Sequence, residues 1–192
     1  MRKLIAFNHI SLDGFVAGPH GEMNWIKIDP ELFGHVEQRI NQGDTAMYGR
    51  VTYQLMESYW PTAADKPNAT QHDKVHAHWY KHVHKVVLSQ SMKGQSLTNT
   101  TIISDRLTEN IHRVKQSANG ATSDILLFGS PSATHALIQL GLIDGYWLFV
   151  NPIILGKGIP LFVDGQAQEN LKLLSTRTFA SGVTELNYVK QG

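Results

Sequence analysis

Three places in this 192-residue chain put small, hydrogen-bonding or cationic residues directly after an apolar run. In AMYGRVTYQLM the run ends at Gly49 and passes through Arg50, Val51 and Thr52 into a segment of helical spacing. In KVVLSQS it ends at Leu88 and is followed by Ser89, Gln90 and Ser91. In ILLFGSPSATHALI it ends at Phe128 and is followed by Gly129, Ser130, Pro131 and Ser132. The first and third open helices directly, and a helix N-terminus presents N–H groups that no helix carbonyl satisfies. Such termini favour anions by roughly 0.3–1 kcal/mol each at exposed sites. Two of them with Arg50 alongside could hold a pyrophosphate, and the Ser/Gln cluster a further phosphate or a ribose. Packing explains each junction equally well on its own, because every tight strand-to-helix turn selects Gly or Ser. The three together favour a nucleotide site. Neither G-x-x-x-x-G-K-[ST] nor G-x-G-x-x-G is present, which sets aside P-loop enzymes and ordinary Rossmann domains.

Other residues offer chemistry with a plainer alternative beside it. Asp13, in SLDGF, could donate a proton if an apolar cleft raised its pKa; Asp-Gly is equally a turn dipeptide. Trp25 could stack on a flat substrate or fill the core. His72/His76 and His78/His82 each have the i, i+4 spacing that puts two imidazoles on one helix face. With no third ligand in the pattern they read as an exposed polar face rather than a metal site.

The elements that must position these residues follow from periodicity. KLIAFNHI is a first strand, followed by a Gly-punctuated loop. A helix then opens with Asp29 as N-cap and Pro30 at its first position, carries Phe33, Val36 and Ile40 on one face, and stops at Gly43. TAMYG is a second strand, and its helix is expected to end at Pro61. Thr70 caps a helix to His82; KVVLS and TTIIS are strands; a helix carries Leu107, Ile111 and Val114; DILLFG leads into a helix from about Ser132. YWLFV, LKLLSTRTF and VTELNYV finish as strands. Alternating strands and helices with continuously apolar strands predict a mainly parallel sheet covered on both faces, with an antiparallel edge at the end.

Composition limits the partners. A net charge of +1 gives no basic field for nucleic acid. The absence of cysteine excludes thiol chemistry and disulfides and fits a reducing, cytoplasmic setting. No apolar run approaches the ~20 residues that span a bilayer, and Leu4 to Phe7 is too short for a signal core. The length suits a single domain, residues 1–192.

The segments SLDGFVAGPHGEMNW, YGRVTY, VVLS, FGSPSATHAL and GLIDGYWLFVNPIILGKGIPLF occur in an order that resembles the dihydrofolate-reductase-like superfamily. Within it the chain is most similar to the bacterial branch related to the reductase domain of riboflavin biosynthesis. The resemblance implies a three-layer α/β sandwich around an eight-stranded sheet, and a bound NADPH. It implies that Gly49, Arg50, Val51 and Thr52 form one phosphate turn, and Phe128, Gly129, Ser130, Pro131 and Ser132 a second. It places Leu88, Ser89 and Gln90 beside the adenosine 2′-phosphate, and Val16 and Ala17 along the nicotinamide. The chain departs from its relatives in two places. QLMESYWP stands where riboflavin-pathway reductases carry Asp-Asp-Pro, and Gln90 where many relatives have Arg.

The expected activity is therefore an NAD(P)H-dependent oxidoreductase acting on a small heterocyclic or conjugated substrate, a pterin or pyrimidinone for example. The rival is a nucleotide-binding sensor or storage protein without turnover. Trp147, Phe149, Leu171, Leu173 and Phe179 exceed what one small sheet face needs, which suggests a homodimer.

Overall fold

A computed structural model describes residues 1–116 and 123–191. Leu4–Ser11 forms the central strand β1, and the loop after it folds back as a short strand β2 (Phe15–Ala17). Helix α1 (Pro30–Ile40) opens as the sequence predicts, with the Asp29 carboxylate accepting from Leu32 N at 2.8 Å. It buries Leu32, Val36 and Ile40, whereas Phe33 is half-buried and stacks on His72. Strand β3 (Thr45–Gly49) leads into α2 (Arg50–Ala63). This helix does not end at Pro61 but runs two residues further, because Pro61 sits in the last turn, where it forfeits one backbone bond. Helix α3 (Gln71–His82) opens with a capping box in which Thr70 and Asp73 satisfy each other's backbone N–H groups.

The chain continues through β4 (His84–Leu88), β5 (Thr100–Ile103), α4 (Leu107–Gln116), β6 (Ile125–Phe128) and α5 (Pro131–Gln139). It finishes with β7 (Gly145–Asn151), a two-residue β8 (Ile159–Pro160), β9 (Leu171–Thr178) and β10 (Thr184–Lys190). Eight strands make one sheet in the order β5-β4-β3-β6-β1-β7-β10-β9; β10 is antiparallel to both of its neighbours and the other pairings are parallel. Sequence periodicity missed β2 and β8, which pair with each other as a separate two-stranded ribbon.

Two apolar layers flank the sheet. On one face Leu4, Met47, Ile125 and Leu127 pack with Ile111 of α4 and Leu137 of α5. On the other, Ile5, Tyr48, Leu126 and Trp147 pack with Leu32 and Val36 of α1, Tyr53 of α2 and Tyr80 of α3. Trp147, Phe149 and Phe179 are absorbed into this second layer, at 0%, 0% and 3% exposure. The surplus apolar surface expected for a dimer therefore shrinks to the edge strand β9, where Leu173 and Leu174 stay exposed. The histidine face is also corrected. His76 is buried against Trp60 and Trp79, with ring centroids at 4.0 and 5.0 Å, and burial pushes its imidazole down to about 3. Among the described residues no helix is long and apolar enough to cross a membrane.

Candidate functional site

Parallel pairing brings the three junctions to one edge of the sheet. Gly49 stands level with Leu88 across the β3–β4 ladder, and β3 also pairs with β6 through Ala46–Leu126 and Met47–Leu127. Gly49 and Gly129 thus emerge from neighbouring strands. Their turns interlock: Gly49 N donates to Ser130 Oγ at 2.8 Å, and Ser130 Oγ donates to Phe128 O at 2.8 Å. Gly129 and Ser130 both adopt left-handed backbone, with φ of +51° and +58°. Glycine accepts this conformation freely; a serine does so at a cost of about 1–2 kcal/mol. A Cβ at Gly49 would lie 3.3 Å from Ser130 Cβ and 3.4 Å from Ala133 Cβ, and one at Gly129 would meet the Thr52 side chain at 3.9 Å. The N-termini of α2 and α5 are thereby held side by side.

Each predicted binding residue has a definite place in this arrangement. Arg50 is exposed, and the hydrogen bond its guanidinium makes is with Gln54 Oε1 at 3.1 Å on its own helix. Val51 is exposed at 69% and Thr52 is half-buried beneath Gly129. Pro131, at the first position of α5, brings no N–H, so the open donors there are those of Ser132 and Ala133. The Ser130 hydroxyl, 5% exposed, is committed to the backbone and acts as a lock between the turns. Beyond Leu88, Ser89 N donates to Ile103 O, its hydroxyl accepts from Met92 N at 3.3 Å, and Gln90 is exposed. Val16 and Ala17 are buried, 6% exposed each, on β2 beyond the end of β1. Trp25 lies in the following loop, its indole N–H donating to Glu22 O at 3.0 Å.

Asp13 shows the bonding of the turn alternative. Its carboxylate accepts from Ser11 Oγ at 2.6 Å, Leu155 N at 3.1 Å and Gly156 N at 2.8 Å. Led by the serine, these donors together outweigh desolvation and hold its pKa below the usual carboxylate value. A group fixed in this way is a tether between the two loops that flank β2 and β8, and a poor proton donor.

Sequence reasoning missed two further polar groups at this edge. β1 and β7 outrun β6: Phe7 is level with the last residue of β6, whereas His9 and Ser11 continue beside Phe149 and Asn151. His9 stacks on Phe149 with ring centroids 5.1 Å apart, and burial pushes its imidazole down to about 4. Asn151 is fully buried. The only signal for either was a polar residue inside an apolar strand pattern. Two surface depressions, one by Arg39, Gln42 and Asp124 and the other by Asp44, His78 and His82, lie at the opposite edge, where the strands begin. They contain no strand-to-helix turn.

Residues 2–184 match the RibD C-terminal domain family. The uncharacterized protein YyaP of Bacillus subtilis (strain 168) is 35% identical over 191 residues, covering 97% of this chain and 94% of that one. A protein from Shewanella sp. PV-4 described as a riboflavin biosynthesis protein superposes with a TM-score of 0.69 at 20% identity, over 99% of both chains. A dihydrofolate reductase from Enterococcus faecalis, complexed with NADP(H), superposes at 0.63 and 12% identity over 99% of this chain and 97% of that one. At these identities the structural likenesses speak for the fold, which is that of the dihydrofolate-reductase-like proteins.

Proposed function

The chain belongs to the RibD C-terminal domain family, and from that membership we propose that it is an NADPH-dependent reductase of a small heterocyclic or conjugated compound, such as a pterin or pyrimidinone. The observation that carries this reading is the interlock of the two turns through the Gly49 N–Ser130 Oγ bond, which sets two helix N-termini side by side. Two adjacent helix N-termini suit a dinucleotide pyrophosphate: the glycines would let the ligand approach the backbone, and the unsatisfied N–H groups would face its charge. NADPH held there would supply a hydride.

The residues divide the remaining work. The Arg50 guanidinium, bonded among the described residues to Gln54 alone, would hold a phosphate oxygen, and the first N–H groups of α2 and α5 would bind the same group. Ser89, Ser91 and Gln90 would face the adenosine end, with Lys93 on the same turn, its ammonium 3.4 Å from Asp105 Oδ2. No carboxylate lies in the sequence between Leu88 and Gln95, and Asp105, which follows β5 beside this turn, is charge-paired with Lys93; this supports NADPH over NADH. Val16 and Ala17 give the reacting end a dry, backbone-lined wall.

Because Asp13 is a tether, a second reading stays in play, nucleotide binding without turnover. One experiment separates the two. NADPH should quench the tryptophan fluorescence, and NADH should do so more weakly. Pterins, pyrimidinones and quinones are then screened for substrate-dependent loss of dihydronicotinamide absorbance. Binding without loss across all of them selects the sensor; absence of NADPH binding refutes both.

A further inference from the structure

The sheet has a step in it. β3 and β6 stop at the level of the phosphate turns, whereas β1 and β7 continue from Asn8 to Ser11 and from Leu148 to Asn151, roughly 13 Å at the usual strand rise. The side chains of Phe7, His9 and Ser11 alternate onto the same face of β1, and those of Trp147, Phe149 and Asn151 onto the same face of β7. On that face Phe7, His9 and Phe149 form one aromatic cluster, in which Phe149 is fully buried and Phe7 and His9 keep partial exposure. Phe7 and His9 meet edge-on at 6.2 Å, Phe7 and Phe149 edge-on at 5.7 Å, and His9 lies nearly parallel to Phe149.

Asn151 sets the orientation of the one polar group in this cluster. Its Oδ1 accepts from Lys27 N at 2.8 Å, and its Nδ2 donates to Phe149 O at 3.1 Å and Ile10 O at 3.4 Å. Turning the amide over would aim its oxygen at two carbonyls, so the orientation is fixed. The same Nδ2 stands 3.5 Å from His9 Nδ1. Nδ2 has two hydrogens for these three acceptors; with one shared between Ile10 O at 3.4 Å and His9 Nδ1 at 3.5 Å, Nδ1 is the acceptor and the ring proton resides on Nε2. Burial opposes a second proton. Among the described residues Nε2 has no hydrogen-bond partner, and His9 keeps some solvent exposure. The backbone of Lys27, two residues past Trp25, is pinned to the same end of β7 by Asn151.

We propose that His9, oriented by Asn151, is the substrate-recognition donor of this protein: its Nε2–H donates to a carbonyl oxygen or ring nitrogen of a flat heteroaromatic compound lying against the half-buried Phe7 ring. The inference rests on the reductase reading and adds the group that selects the substrate. Flat compounds without an acceptor edge, hydrocarbons for example, leave the Nε2–H unpaired on binding and are disfavoured.

The test uses lumazine, a fluorescent pteridine-dione, titrated into the intact protein saturated with NADP+. Wild type is expected to bind it. His9→Phe keeps the ring and loses the donor, so it should bind about tenfold more weakly with NADP+ affinity unchanged. His9→Gln, which retains an N–H donor, should fall between. Nitrogen NMR of the labelled wild type should show the Nε2–H tautomer at pH 7, a measurement that needs no variant to fold. Equal lumazine affinity in wild type and His9→Phe overturns the inference, as does an Nδ1–H tautomer or absence of lumazine binding by NADP+-saturated wild type. Absence of NADP+ binding is a different failure, which sinks the reductase reading and this inference with it.

Discussion

Replacing Ser130 by alanine tests the interlock on which the site depends. The hydroxyl accepts from Gly49 N and donates to Phe128 O, both at 2.8 Å, from a residue 5% exposed. Alanine leaves a largely buried N–H and a buried carbonyl short of a partner, and an orphaned buried polar group costs about 1–3 kcal/mol. The αL penalty is common to Ser and Ala and cancels. A loss of about 2 kcal/mol corresponds to a fall in Tm of roughly 4–8 °C for a chain of this size. Glycine loses the same two bonds but is released from the left-handed strain of φ +58°. Strain relief of about 1–2 kcal/mol against about 0.5–1 for glycine's greater unfolded-state entropy leaves Ser130→Gly about 0.5–1 kcal/mol more stable than Ser130→Ala. Urea denaturation of the three proteins gives the two differences directly, provided the slopes agree. NADPH affinity should fall in both variants because the turns loosen. A Ser130→Ala protein as stable as wild type, or more stable than Ser130→Gly, would refute the reasoning.

Three other outcomes are expected. Arg50→Ala should weaken NADPH binding by about 1.5–3 kcal/mol, the worth of a charge-assisted hydrogen bond, with little change in Tm because the side chain is exposed; fluorescence titration measures it. Asp13→Asn should flatten the acid end of the stability profile. The depressed carboxylate stabilises the fold above its unfolded pKa near 3.8, and that contribution is lost as pH falls through the lower folded value, so thermal melts from pH 5 to pH 2.5 should converge. His76→Phe should make stability less sensitive to mild acid. Burial holds the imidazole at about 3 against 6.5 unfolded, so wild type loses stability as pH drops below 6.5, by about 2 kcal/mol on reaching pH 5, and the phenylalanine variant is spared that loss.

Much of the architecture was legible where local chemistry decided it. Asp29 and Thr70 announced their helices because each supplies a side-chain oxygen that meets one of the first N–H groups of the helix it opens. The strand-end turns were legible for the same reason, since glycine and serine do there what other residues cannot. Pro61 misled because a proline near a helix C-terminus costs one bond, which the turn before it can spare. His76 misled because i, i+4 spacing says which residues share a face and nothing about what covers it; Trp60 and Trp79 arrive from α2 and α3. For Asp13 the sequence left a proton donor and a turn residue side by side, and the bonds that favour the turn are not local. The donors from Leu155 and Gly156 lie more than a hundred positions away in the sequence. His9 and Asn151 were missed for that reason too: their relation exists only once β1 and β7 pair.

That pairing also governs when the molecule can assemble. The first strand sits at the centre of the sheet, with Leu4 beside Ile125 and Ile5 beside Gly145. During synthesis it leaves the ribosome long before either neighbour exists. At roughly 5–20 residues per second, about 6–24 s separate the appearance of β1 from that of β6. Through that interval an apolar segment, LIAF, has no partner in its own chain and both of its hydrogen-bonding edges open, the condition in which strands pair with the wrong molecule. The segments made meanwhile can pair only among themselves, as β3, β4 and β5 do. The nascent chain is thus expected to hold a three-stranded outer leaf first, and to depend on chaperones until β6 threads between β3 and β1.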